Sequence, residues 1–168
     1  MNIVLTNDDG FSSEGIIALK NALSKNHTVF VFAPDRNRSA ISHGITMFNT
    51  LDIYEQDKNV WSCSGTPADC AILALKSGFL SVQPDLLISG INKGPNLGTD
   101  IVYSGTCAAS REAVIDGFPS ISVSLDYIKG ALSSASSFSQ KACERDFNLI
   151  LQPASFLYIK SHHSRYLS

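Results

Sequence analysis

Short apolar runs that each end in a polar cluster place the tightest limit on what this chain can fold into. Ile3, Val4 and Leu5 make the first, a continuous run of the kind found in strands buried on both faces of a parallel sheet. Residues 13–24 follow, with Ile16, Ile17, Leu19, Ala22 and Leu23 at near-helical spacing and Glu14 in the first turn. "HTVFVFAPD" is a second apolar strand. Strand, helix and strand within about 30 residues form a βαβ unit, which requires a right-handed crossover. The alternation continues. Thr66 as cap and Pro67 at the first helical position open a helix over 67–77. "PDLLISG" reads as another buried strand, "CAASREAVIDG" as a helix closed by Gly117, and "PSISVSL" as a further strand. "ITMFNTLDIYEQ" and "NVWSCSG" have strand composition and predict a hairpin projecting from the sheet. The whole predicts an open α/β sheet with helices on both faces.

A chain of 168 residues suffices for one domain with a sizeable core. Thirteen basic residues against fifteen acidic ones leave a net charge of −2, which supplies no drive toward a nucleic-acid polymer or an anionic membrane. Cys63, Cys70, Cys107 and Cys143 are widely spaced, with no C-x-x-C pair, so a reduced, cytoplasmic setting is expected. The first residues read as strand rather than signal peptide, and no apolar run reaches the length of a membrane span.

Each unusual polar cluster follows the carboxyl end of a predicted strand: Asp8-Asp9, residues 36–43 and residues 92–106. Open α/β sheets bind ligands at that rim. Adjacent carboxylates repel and lose solvation when partly buried. Asn7-Asp8-Asp9-Gly10 is compatible with an ordinary turn. Paired Asp at a strand end also holds hard cations, and the convergence of three loops favours that reading. Gly10 and Gly15 have the outer spacing of a P-loop, but Ile16-Ile17 stand where Lys and Ser/Thr are required. No G-x-G-x-x-G follows the first strand. Ser104-Gly105-Thr106 open a helix as a small-residue turn whose N–H groups, hydroxyls and dipole suit an anion. An ordinary N-cap at Ser104 or Thr106 is compatible with that role.

The segments "TNDDG" with the following "EGI", "APDRNRSAIS", "SGTPADC", "SGINKGPNLGTDIVYSGT" and "PSISVS" together resemble the SurE (survival protein E) family of nucleoside monophosphate phosphatases, over residues 1 to 126. The resemblance implies a three-layer α/β/α, Rossmann-like, mostly parallel sheet. It implies that Asp8, Asp9, Ser39 and Asn92 hold one divalent cation, Mg²⁺ or Mn²⁺, through hard oxygen donors. Asn96, Ser104, Gly105 and Thr106 match phosphate-binding positions, and Asp8, Asp9 and Asn96 the catalytic ones. The implied reaction is 5′- or 3′-nucleotidase hydrolysis of a nucleoside monophosphate, extending to short polyphosphate, with Asp8 or Asp9 orienting the water. A homodimer or tetramer is the implied assembly. The rival reading is a non-catalytic metal- or nucleotide-binding module, either a receiver-like switch or an inactive truncated relative. A receiver needs a phosphorylatable Asp closing its third strand and gives the long Asn/Gly loop no role.

Other polar residues have plainer readings. His43 is a loose candidate for the leaving-group acid, and a lone loop His is ordinarily solvated. Arg36 and Arg38 either steer phosphate or are solvated loop charges. Cys107 begins a helix and reads as a packed thiol. Residues 1–146 are expected to form the phosphatase domain. Residues 147–168, "FNLILQPASFLYIKSHHSRYLS", depart from the family's continuation and are expected to be a divergent or truncated tail that weakens assembly.

Overall fold

The computed structural model of the chain describes residues 1–125 and 156–161. In chain order these form β1 (Asn2–Thr6), α1 (Glu14–Leu23), β2 (Thr28–Pro34), β3 (Ile53–Asp57) and β4 (Val60–Cys63). Then come α2 (Pro67–Lys76), β5 (Leu86–Asn92), α3 (Asp100–Tyr103), α4 (Gly105–Ile115), β6 (Ser120–Leu125) and β7 (Phe156–Ser161). The strands lie in one sheet of order β3-β4-β2-β1-β5-β6-β7, parallel except for the β3–β4 pair.

Successive side chains of a strand point to opposite faces, so each apolar run feeds two cores. Ile3 and Leu5 pack with Val31, Ile88 and Ile121 beneath Ile16, Leu19 and Leu23 of α1. Val4, Phe30, Phe32 and Leu87 face the other way, against Cys70, Ala71 and Ala74 of α2 and Ala109 and Ala113 of α4. Ile16, Leu19 and Leu23 are fully or almost fully buried. Burial of each is worth about 1.5–3 kcal/mol, more than local propensity supplies over the same turns. Hence α1 forms although its N-cap Ser13 makes no side-chain capping bond. In α2, Thr66 and Asp69 make a capping box behind Pro67, as the Thr-Pro pair anticipates.

The chain leaves β1 toward β2 on one side and returns to β5 on the other, so β1 and β5 flank the switch point of the sheet. The loops after these two strands run to helices on opposite faces, and a crevice opens between them at the carboxyl ends.

Three details differ from the pattern of the sequence. Strand structure in the 45–56 region begins only at Ile53, and the preceding residues are irregular chain with a bend at 47–49. Met47 and Phe48 there stay exposed, with no strand among the described residues packed on them, so composition alone misleads. The hairpin extends the main sheet, because β4 pairs in parallel with β2 and β3 forms the edge. The long polar loop also holds a short helix, α3. Beyond the boundary drawn at residue 146, the backbone of β7 pairs in parallel with β6 from Ser120↔Phe156 to Leu125↔Ser161. The segment "ALSSASSFSQKACERDF" (131–147), whose composition allows a helix, lies outside the described residues.

Candidate active site

Asn7 explains how two carboxylates are presented at the end of an apolar strand. Its side chain accepts from Gly10 N at 3.1 Å and donates to Gly10 O at 2.9 Å, closing the turn on itself. The same amide reaches Ser13 Oγ at 2.7 Å, which ties the turn to the start of α1. Gly10 has φ 102°, a conformation that favours glycine. Asp8 and Asp9 therefore project from a turn fixed at both ends.

The two acids have different surroundings. Asp8 is buried, and Thr106 serves both its oxygens: Oγ1 donates to Oδ1 at 2.7 Å and the backbone N–H to Oδ2 at 3.2 Å. Burial pushes the Asp8 pKa up, the Thr106 hydroxyl opposes that, and the negative charge of Asp9 adds to the rise. The amino-terminal turn of α4 points its dipole at this carboxylate. Gly105 makes the approach possible, since a Cβ there would stand 2.8 Å from Asp8 Cβ and 3.0 Å from Pro67 Cγ. Asp9 is half-buried; it accepts from Asn37 Nδ2 and from the backbone N–H of Lys93, both at 3.2 Å.

These bonds draw the three loops together. Asn37 also accepts from Ser39 N at 2.9 Å, so one amide links Asp9 to the Ser39 loop. The backbone of that loop is pinned by Arg38 N donating to Asp8 O at 2.6 Å. Asn92 ends β5 and donates Nδ2 to Gly94 O at 2.9 Å, which sets the orientation of its amide. Asn96 is buried and donates Nδ2 to Ser124 Oγ at 2.9 Å, tying the loop to the end of β6. Ser104 caps α4 by accepting from Cys107 N at 3.1 Å.

Asp8, Asp9, Ser39 and Asn92 thus lie on three loops joined by direct hydrogen bonds around the switch point. Gly105 and Thr106 meet Asp8 from the α4 side. The Thr106 hydroxyl and N–H both engage Asp8, a contact that the anion-turn reading of this segment does not contain. His43 pairs with Glu112 of α4 at 2.6 Å. Arg38 donates to Ser64 O and lies 3.5 Å from Asp35, so it braces the loop. Cys107 is buried.

Sequence reasoning passed over Asn37 and the Thr106–Asp8 pair. Nothing local marks either, because each contact joins residues far apart in the chain. Among the described residues no group of three or more His, Cys, Asp or Glu gathers, so a cation held here would meet two carboxylates and neutral oxygens. Adjacent carboxylates, one buried and driven toward protonation, fit a hard divalent cation, whose charge relieves the repulsion. The hydroxyl of Ser39 and the amide oxygen of Asn92 are donors of the same hard class. Carboxylate oxygens keep further lone pairs when each accepts one hydrogen bond, so the Thr106 contacts do not bar coordination by Asp8.

Known proteins share this architecture. The 5′-nucleotidase SurE of Treponema pallidum is 52% identical over 128 residues, covering 74% of this chain and 68% of that protein. The 5′-nucleotidase SurE of Trichodesmium erythraeum is 45% identical over 153 residues, covering 86% of this chain and 57% of that one. The crystal structure of the SurE protein from Aquifex aeolicus superposes with a TM-score of 0.90 at 36% identity, over 99% of this chain and 68% of that chain. The chain spans about half to two thirds of the length of the curated relatives it matches. The model of the family described as Survival protein SurE matches residues 3–162, beyond the residue 126 at which the sequence motifs stop. By its fold, its relatives and this match, the chain belongs to the SurE family.

Proposed function

We propose that the chain is a metal-dependent phosphomonoesterase that hydrolyses nucleoside monophosphates, a 5′-nucleotidase like the relatives it resembles. The observation that carries this reading is the Asp8-Asp9 pair at the switch point, bonded to both the Ser39 and the Asn92 loops. Asp8, Asp9, Ser39 and Asn92 would hold one Mg²⁺ or Mn²⁺. Bound there, the cation supplies Lewis acidity and positive charge to the phosphoryl group.

The chain's own residues do the rest. Thr106 fixes both oxygens of Asp8 and so holds one carboxylate in a constant position. Asp9, less buried, orients the attacking water and takes its proton as the new P–O bond forms in line with the leaving ester oxygen. Asn96, Ser104 and the first turn of α4 face the equatorial phosphoryl oxygens, where charge builds up. The ester P–O bond breaks, the departing oxygen gains a proton, and nucleoside and phosphate leave.

The cytoplasm as the working compartment and an assembly of two or four copies belong to this reading. So does a phosphatase domain over 1–146 followed by a divergent segment. No helix among the described residues is long and apolar enough to cross a membrane. The test is phosphate release from a panel of nucleoside monophosphates, with Mn²⁺ or Mg²⁺ and with chelator. Turnover that chelator abolishes and metal restores supports the proposal. No release from any member of the panel with either metal refutes it.

A further inference from the structure

Asp69 lies on α2, outside the set of residues assigned above, yet its buried carboxylate takes three donors. Thr66 N donates to Oδ2 at 2.9 Å, which completes the capping box. The other two bonds are not part of any cap. Thr46 N donates to Oδ1 at 2.8 Å and Thr46 Oγ1 to Oδ2 at 2.6 Å, from 23 residues away. Thr66 repeats the reach, donating Oγ1 to Gly44 O at 2.7 Å. The start of α2 therefore grips residues 44–46 by a backbone carbonyl, a backbone N–H and a hydroxyl.

Those residues close the loop that carries Ser39. Residues 36–52 contain no strand or helix of their own. On the near side the loop is held by Arg38 N to Asp8 O and by Asn37 to Asp9. Ser42 bonds Val102 O and Tyr103 O through its hydroxyl and N–H, each at 2.9 Å. Along this stretch Ala40 and Ser42 have φ 59° and 60°, a left-handed conformation that disfavours any residue with a Cβ. Such conformations persist only where surrounding contacts over-determine them. The Asp69 grip is the anchor on the far side of this strained segment.

We propose that Asp69 is a positioning residue, which acts through Thr46, beside the Thr66–Gly44 bond, to hold the Ser39 loop against the Asp8-Asp9 turn. The role rests on the cation site proposed above. Thr46→Val is the discriminating variant, because it removes the hydroxyl bond while leaving Thr66 and Asp69 to cap α2. Thr46→Ser is the rescue, and Asp69→Asn tests the carboxylate itself. Two quantities are read: Mn²⁺ affinity by calorimetry, and hydrogen exchange of the peptide over 36–46 in metal-free protein.

Thr46→Val and Asp69→Asn should each weaken Mn²⁺ binding by about 10-fold, at the low end for residues that orient ligands from outside. Exchange in the 36–46 peptide should quicken in both, and Thr46→Ser should restore both readings toward wild type. Unchanged exchange overturns the proposal. So does a loosened loop with wild-type Mn²⁺ affinity, which would make the grip purely structural. A wild-type chain that binds no Mn²⁺ removes the cation site and this role with it, and that failure is visible before any variant is compared.

Discussion

Replacing Gly15 by Ala should destabilise the protein even though alanine is the better helix former. Gly15 lies in the first turn of α1 and packs on the end of β5. A Cβ there would stand 2.0 Å from the carbonyl oxygen of Ile91, 3.0 Å from its carbon and 3.3 Å from its nitrogen. The first distance is about 1 Å shorter than the closest approach that real Cβ atoms make. All three obstacles are strand backbone, so no side chain can swing aside.

Overpacking costs about 1–3 kcal/mol, and a clash with backbone belongs at the upper end. The gain in helix propensity offsets at most about 1 kcal/mol. A net loss of about 2 kcal/mol remains, which for a chain of this length lowers Tm by about 4–8 °C. The strain falls on Ile91, next to Asn92 and two residues before Lys93, whose N–H reaches Asp9. Mn²⁺ affinity should therefore fall together with Tm. Thermal unfolding in chelator, followed by Mn²⁺ titration, measures both. A Gly15→Ala protein with an unchanged or raised Tm would show that α1 does not rest on β5 in this way.

Asp9→Asn keeps the shape of a half-exposed side chain, so metal-free stability should stay within about 0.5 kcal/mol while metal-dependent turnover is lost. Wild-type activity at limiting Mn²⁺ would take Asp9 out of the ligand set. Thr106→Val keeps the volume but deletes the hydroxyl that donates to buried Asp8, and urea unfolding should report a loss of about 1.5–3 kcal/mol. A loss below about 0.5 kcal/mol would mean that this bond contributes no net stability. Cys63, Cys70 and Cys107 are buried, so none should be labelled by a thiol reagent until the chain unfolds. Mass spectrometry of the labelled peptides checks this, and rapid modification of any of the three in the folded protein would contradict their burial.

Much of the fold was legible because its signals are local. The apolar runs of β1, β2 and β5 and the Thr66-Pro67 start of α2 each depend on neighbours within a few residues. Gly117, with φ 87°, ends α4 as its position after the apolar stretch implies. Residues 45–52 misled because strand-like composition describes exposed loop as well as sheet. The site was legible as a set of residue types at strand ends, and much less so as a set of contacts. Thr106 donating to Asp8 joins residues 98 apart, and Asn37 to Asp9 joins residues 28 apart. No periodicity or spacing encodes such pairs. The cap at Thr66 was legible from the Thr-Pro pair, but the box it makes with Asp69 and the reach of Asp69 to Thr46 appear only in the folded chain.

The central place of β1 also governs when the protein can become itself during synthesis. β1 is the first strand in chain order, and β2 covers one edge of it soon after both are made. Its other edge waits for β5, roughly 80 residues later, an interval of about 4–16 s at ordinary translation rates. Until then this apolar strand has a bare side, exposed to whatever else is being made nearby. The Asp8-Asp9 turn hangs at the end of that half-covered strand, without the Lys93 N–H or the Thr106 clamp. Completion of the rim around Asp8 and Asp9 is thus a late event, timed by the arrival of one distant strand.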